Sequence, residues 1–326
     1  MVDPIIIGLD AAFTIFSVIA LVYMYMDMKK HKEDTIAAWH AGGWQKKAKI
    51  GISAFFLSIL DVFGIGCYAP TYAVWKIFHV CRDVLFPGTL LVCMTTQTLV
   101  ESIYCMTAID IDPITALTCV ITASIGAFFG AGFFAKFNLK KMRFALGIAL
   151  LAVAAVLVLG ILGLLNFGGT AIGVDGWKLV VLNIITFILG ALMTIGIGCY
   201  APTLAVVSLM GMDPSVSWPI MIGMCGVLCP VAGIRYIRES IDSPVPVYDR
   251  NIAITYNACG WIGSIVAMIA LTYGLFSLPL ATIKIFVVIV IVFTACLFIY
   301  DGVKDTTDKV AEREDAEMAA YEGKSE

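Results

Sequence analysis

Seven runs of apolar residues along the chain are long enough to cross a bilayer as helices, which takes about 20 residues. These runs are residues 4–26, 87–108, 113–135, 144–165, 216–234, 251–274 and 279–300. Two further apolar stretches, residues 50–80 and 179–210, are interrupted near their middles by glycines and a proline. The pattern predicts an all-α polytopic membrane protein that contains two broken helical elements.

The composition excludes a soluble protein. The 326 residues are 60% hydrophobic and 14% charged, whereas soluble domains are about 45–50% apolar and about 25% charged. The distribution of positive charge predicts the orientation, because cytoplasmic loops hold the excess of Lys and Arg. All of the 21 Lys and Arg residues except Lys178 and Lys284 fall in segments that one consistent topology places on the same side. We therefore expect a cytoplasmic-membrane protein in contact with lipid, with its N-terminus outside and its acidic tail in the cytoplasm.

An internal repeat links the two interrupted stretches. Residues 64–74 and 196–206 are identical at ten of eleven positions, at an offset of 132. We divide the chain into an N-terminal helix with a basic loop (1–49), two repeats (50–165 and 178–300) and the tail (301–326). Each repeat is predicted to hold a broken or re-entrant hairpin followed by three spans. Because three crossings invert the second copy, the chain has the inverted-repeat organisation of secondary transporters. The alternative is a duplication in which glycine and proline only allow close helix packing.

The repeated motif suits a small anion. Its glycines permit sharp backbone turns, and proline is favoured in the first turn of a helix. We expect Pro70 and Pro202 to open half-helices whose free amides, around Thr71 and Thr203, converge at the membrane centre and bind an anion without a formal charge. The predicted substrate-binding residues are Gly64, Gly66, Cys67, Tyr68, Pro70, Thr71, Gly196, Gly198, Cys199, Tyr200, Pro202 and Thr203.

The paired glycine-rich segments with their prolines, the acidic Asp61 three residues before the first glycine, and the duplicated hairpin-plus-three-span unit resemble the TauE/SafE sulfite exporter family of membrane transporters. The resemblance covers about residues 50–300. It implies a transporter of sulfite, sulfonates or another small oxyanion, with substrate contacts at the two motif segments.

Two pairs of residues carry further chemical hypotheses. Cys67 and Cys199 lie symmetrically in the motif, where they are either sulfur-relay thiols for a thiosulfate-like substrate or small apolar fillers. Asp61 and Glu101 lie deep in apolar runs and have no acidic counterparts in the second repeat. A buried ionised carboxylate would repel an anion, so we expect these groups either to carry a coupling proton or to be protonated and only hydrogen-bonded.

Polar residues in two of the other spans are candidates to line the pathway. Gln97 and Asn257 are the residues chosen, although hydrogen bonding between helices accounts for them equally well. The chain lacks a nucleotide phosphate loop and hydrolase motifs, so we expect no enzymatic activity, cofactor, metal or nucleic-acid partner. The predicted function is secondary transport of sulfite or an organosulfonate by alternating access. The alternative functions are a passive anion channel and a sulfur-relay protein. The sequence is also compatible with a homo-oligomer.

Overall fold

The computed structural model describes residues 3–41, 43–63, 66–78, 80–82, 85–134, 169–194, 199–243 and 246–274, and scattered positions within 144–162 and 285–303. This part of the chain is α-helical and contains no strand, which confirms the predicted all-α class there. The helices are α1 (Pro4–Lys30), α2 (Lys32–Ala41), α3 (Gly43–Val62), α4 (Tyr68–Ile77), α5 (Phe86–Cys93), α6 (Thr95–Ala108), α7 (Pro113–Phe134), α8 (Gly176–Met193), α9 (Tyr200–Leu209), α10 (Ser217–Asp242) and α11 (Arg250–Thr272).

Among the described residues, five segments are long and apolar enough to span a membrane, namely Pro4–Lys30, Pro113–Gly130, Gly176–Met193, Pro214–Asp242 and Arg250–Thr272. They agree with the predicted membrane class. The predicted span 87–108 is instead divided at Met94 into α5 and α6. The predicted spans 144–165 and 279–300 lie largely outside the described residues, as does the tail 301–326.

Both interrupted stretches form a long helix followed by a short one. The helix α3 ends at Val62 before α4 begins at Tyr68, and α8 ends at Met193 before α9 begins at Tyr200. The short helices α4 and α9 have 10 residues each. At a rise of about 1.5 Å per residue, each covers about 15 Å, which is half of a bilayer core. The predicted interruptions are therefore confirmed.

Helices from the two halves of the chain pack against each other. The helix α7 lies along α8, and α3 lies along α11. Small residues allow these close approaches, because a β-carbon at Gly126 would collide with the Phe187 carbonyl, and one at Gly263 would collide with the Phe55 carbonyl. The helix α10 is the most enclosed of the candidate spans and contacts α1, α5, α6 and α7. The short helices α4 and α9 bring their motifs to this central packing.

Candidate functional site

The two motif segments meet in the interior. Gly66 has a positive φ of 79°, a conformation that side chains other than glycine resist. A β-carbon at Gly66 would lie 3.4 Å from Tyr200 Cβ, so the backbone of the first motif touches the second motif directly. Cys67 and Cys199 immediately precede α4 and α9, and neither side chain caps its helix. The N-terminal ends of α4 and α9 therefore lie next to each other in the structure.

The two prolines lie near the beginnings of the short helices. Pro70 and Pro202 are the third residues of α4 and α9, so each lies within the first turn but is not itself the first helical residue. The Thr71 amide donates to the Cys67 carbonyl at 2.8 Å, and the Thr203 amide donates to the Cys199 carbonyl at 3.0 Å. The backbone amides that have no acceptor within the helix are therefore those of the residues that precede each proline. Because proline has no N–H group, the free donors at each helix N-terminus are the amides of the first two helical residues and of the residue just before the helix.

The hydroxyls of Thr71 and Thr203 are unusual for this protein. Thr98, Thr118 and Thr255, among others, donate to the carbonyl four residues earlier in their helices. Thr71 and Thr203 are 0% and 1% exposed, and within the described part of the chain neither Oγ1 atom has a hydrogen-bond partner. A buried polar atom without a partner costs about 1–3 kcal/mol. These two atoms occupy equivalent positions in the two motifs.

The motif tyrosines already have partners. The Tyr68 Oη atom lies 3.0 Å from Cys229 Sγ, and Tyr200 Oη accepts a hydrogen bond of 2.8 Å from Trp218 Nε1. Both tyrosines are buried. They therefore hold the motifs against α10, the helix that carries Cys229 and Trp218.

Asp61 is placed at the beginning of α4. Its Oδ1 atom accepts the Cys67 amide at 2.9 Å, and its Oδ2 atom accepts the Cys67 thiol at 2.8 Å. Gln97 Nε2 also donates to Oδ2 at 2.8 Å. The carboxyl group, which is 5% exposed, thus receives three donors, the pattern of an ionised carboxylate, which only accepts. The structure brings together Asp61, Cys67 and Gln97, three residues that the sequence analysis assigned to different roles.

Glu101 completes a pair of buried carboxyls. It is 0% exposed, and Ser264 Oγ donates to its Oε1 atom at 2.6 Å. Its Oε2 atom has no hydrogen-bond partner among the described residues, although the carboxyl is close enough to Asp61 for the two to interact electrostatically. Neither acid takes part in any ion pair seen in the described segments. One of the two groups must therefore be relieved of its charge by another means, such as a proton.

Asn257 holds the break between α5 and α6. Its Oδ1 atom accepts the Thr96 amide at 3.1 Å, and its Nδ2 atom donates to the Val92 carbonyl at 2.9 Å. These are the kinds of backbone group that a helix break leaves unpaired. Asn257 is 6% exposed and Gln97 is 0% exposed. Both residues serve the packing around the site, and the predicted lining role is not tested by these contacts.

Sulfur atoms surround the same region. Cys67 Sγ lies 3.5 Å from Met94 Sδ, and the thiol of Cys225 interacts with those of Cys199 and Cys229. All of these cysteines are free. No group of three or more potential metal ligands occurs in the segments that were described. Cys225 and Cys229, both on α10, thus lie beside residues of the two motifs.

Three of the predicted substrate-binding residues, Gly64, Gly196 and Gly198, lie outside the described residues. The remaining predicted substrate-binding residues occupy the two helix beginnings described above, and Met94, Trp218 and Ser264 are contacts that the sequence did not identify.

A second polar cluster was missed by the sequence analysis. Asp27, at 0% exposure, accepts hydrogen bonds from Arg250 Nε at 2.6 Å and Arg250 Nη2 at 3.0 Å. Tyr248 Oη donates to the same carboxylate at 2.7 Å, and His31 Nδ1 lies 3.1 Å from it. Burial, and then the hydrogen bond to Asp27, raise the pKa of Tyr248, so it remains a neutral donor. The cluster fastens the end of α1 to the connection between α10 and α11.

No protein-family profile matches the chain, and no curated protein or solved structure matches it either. The chemistry of the site must therefore be argued from its own geometry.

Proposed function

We propose that the protein is a secondary transporter that moves a small oxyanion, sulfite or an organosulfonate, across the cytoplasmic membrane. The observation that carries the proposal is the meeting of two helix beginnings with two buried threonine hydroxyls that have no partner within the described residues. Helix N-termini carry a partial positive charge, equivalent to about +0.5 elementary charge. Amides and hydroxyls together are the donors that an oxyanion needs.

The composition of the site favours reversible binding. No Lys or Arg side chain forms an ion pair with the motif residues among those described. Attraction from dipoles and hydroxyls is weaker than a buried ion pair, so a bound anion can leave on the other side. Irregular backbone at membrane depth is tolerated where it lines a cavity or is buried in protein, and the breaks after Val62 and Met193 meet that condition.

The arrangement of the helices supports inverted repeats. The offset of 132 that relates the motifs also relates the bounds of α4 to those of α9. The first helix of each repeat packs against the last described helix of the other, as α3 on α11 and α8 on α7. This exchange is expected for two copies related by a pseudo-two-fold axis, as in alternating-access transporters. The resemblance to the TauE/SafE family supports the same assignment.

Asp61 and Glu101 are proposed to couple transport to a proton. Asp61 receives three donors, whereas Glu101 Oε2 has no hydrogen-bond partner in the described segments. A proton on Glu101 would leave one charge rather than two in the buried pair. Moving that proton would change the charge next to the anion site, and this is the coupling that the proposal requires.

Flux measurements in liposomes test the function. We expect the purified chain to give saturable uptake of radiolabelled sulfite, trans-acceleration by unlabelled sulfite, and accumulation driven by a pH gradient. Taurine and sulfate serve as competitors that separate a sulfonate or sulfite site from a general anion site. Flux without saturation or trans-acceleration would indicate a channel, and absence of flux for every anion would contradict the proposal.

A sulfur relay is the second candidate, favoured by the contacts of Cys199 with Cys225 and of Cys225 with Cys229. In that case Cys67 or Cys199 would receive sulfur from a thiosulfate-like substrate as a persulfide, with sulfite leaving. Mass spectrometry of protein treated with thiosulfate would detect a gain of one sulfur atom. Full sulfite transport by the Cys67→Ala, Cys199→Ala double variant, without such an adduct in the original protein, would exclude the relay.

A further inference from the structure

The two halves of the proposed site differ at one position. In the first half, Asp61 Oδ1 accepts the amide of Cys67 at the beginning of α4. The offset of 132 places Met193 at the corresponding position of the second half, where it is buried with 1% exposure. A carboxylate therefore occupies the N-terminus of α4, while a thioether that offers no negative charge lies near the N-terminus of α9.

This difference identifies the half that is open to a ligand. We infer that the transported oxyanion binds at the N-terminus of α9, on the amides before Pro202 and the hydroxyl of Thr203, and that Asp61 is a built-in anion that fills the equivalent place at α4. The inference rests on the proposed function and assigns its substrate to one of two similar helix ends.

Three observations support the assignment. In the first copy, the same backbone geometry does bind a carboxylate, so this type of helix end accepts an oxyanion. In the second copy, Thr203 Oγ1 is buried and has no partner among the described residues, and helical side chains tilt toward the N-terminus, where the free amides lie. Thr71 Oγ1 also lacks a hydrogen-bond partner among the described residues, but the Tyr256 side chain lies close enough to interact with it, and the neighbouring Cys67 amide is already bound by Asp61.

Asp61 would also limit the number of anions bound. A second oxyanion at α4 would have to displace the carboxylate from Cys67 and lie beside an existing negative charge. One substrate molecule per chain is the expected stoichiometry.

The test compares matched substitutions in the full chain, measured as radiolabelled sulfite binding to purified protein and as uptake into liposomes. Loss of one hydrogen bond to a charged ligand lowers affinity by about tenfold or more. We expect Thr203→Val to weaken sulfite binding by about tenfold, and we expect Thr203→Ser, which keeps the hydroxyl, to bind sulfite as tightly as the original chain does. Thr71→Val is expected to change binding about threefold or less. Thr118→Val is the control for a half-buried threonine in a helix long enough to span the membrane, because the Thr118 hydroxyl donates to the Ile114 carbonyl within α7.

The same comparison in an Asp61→Ala background sharpens the result. Removing the carboxylate should free the Cys67 amide at the N-terminus of α4, so Thr71→Val should then weaken binding as much as Thr203→Val does. Equal effects of the two threonine substitutions in the original chain, or a larger effect of Thr71→Val, would overturn the assignment to α9 while leaving the transport function intact. Absence of any sulfite or sulfonate binding in the original chain would instead overturn the proposed function. Thermal unfolding and monodisperse elution establish that each variant is folded.

Discussion

Buried acids occur at two places in the part of the protein that the structure describes, and their surroundings differ. Asp27 is enclosed by Arg250, Tyr248 and His31, and both of its oxygens receive donors. The pair formed by Asp61 and Glu101 has no ion-pair partner within the described segments, and one of its four oxygens has no partner there.

We expect Asp27 to stabilise the fold, whereas we propose a role in transport for the pair of Asp61 and Glu101. A buried charge is tolerated when a cation and hydrogen bonds compensate for the lost water, and removal of one partner then costs several kcal/mol. Where compensation is incomplete, the group is held by the fold for another purpose, or it takes up a proton. The Asp27 cluster should therefore dominate stability, and the Asp61 and Glu101 pair should dominate transport.

Asp27→Asn should produce the largest loss of stability. The change leaves the Arg250 guanidinium, which is 9% exposed, without its counter-charge, and breaking a buried ion pair costs about 3–5 kcal/mol. Thermal unfolding in detergent measures the effect. The matched control is Asp242→Asn, because Asp242 pairs with Lys30 at 3.8 Å while its side chain is 85% exposed, and surface pairs contribute about 0–1 kcal/mol. Equal losses in the two variants would show that the Asp27 pair is not a structural lock.

Tyr248→Phe should have the next largest effect and a distinctive pH dependence. It removes a hydrogen bond to a charged group, which is worth about 1.5–3 kcal/mol. Because burial raises the pKa of Tyr248 in the folded state, its contribution is complete below the unfolded pKa of about 10 and is lost as the pH rises above it.

The difference in unfolding temperature between the original chain and Tyr248→Phe should therefore be greater at pH 8 than above pH 10. Tyr273→Phe, at a residue that is 76% exposed, is the control and should show no such trend. A constant difference in unfolding temperature across this pH range would mean that the Tyr248 hydroxyl does not stabilise the fold by donating its proton to Asp27.

Glu101→Gln should change stability by about 1 kcal/mol or less, since the carboxyl has one donor, Ser264, which an amide oxygen also accepts. Its proposed effect is on coupling. We expect accumulation driven by a pH gradient to be lost, while exchange of sulfite for sulfite continues. Accumulation that persists in this variant would remove Glu101 from the coupling mechanism.

Ser264→Ala should give the smallest effect, about 1 kcal/mol, because it removes one neutral donor from Glu101. Thermal unfolding measures it, and the apparent pH of half-maximal driven uptake reports whether the proton on Glu101 is affected. Ser215→Ala, outside the candidate site, is the control, since its hydroxyl bonds to Asp213 in an exposed turn. An unchanged pH profile in Ser264→Ala would show that this contact is only structural.

Sequence periodicity predicted the helical class and the positions of the two breaks, because apolar run length and glycine-proline interruptions are local properties. The repeat also led us to expect that the two motif segments converge, and the contact between Gly66 and Tyr200 agrees with that expectation. The role of Asp27 was not predictable, since its partners Arg250 and Tyr248 are more than 200 residues away in the chain.

The amide of Asn257 has a mechanical consequence. Its bonds to Thr96 and Val92 join α11 to both sides of the break between α5 and α6. Sliding α11 past that break would leave these backbone groups unpaired away from water, at a cost of several kcal/mol. The helices α5, α6 and α11 must therefore travel as one rigid body, and any hinge that exposes the site to alternate sides has to lie elsewhere.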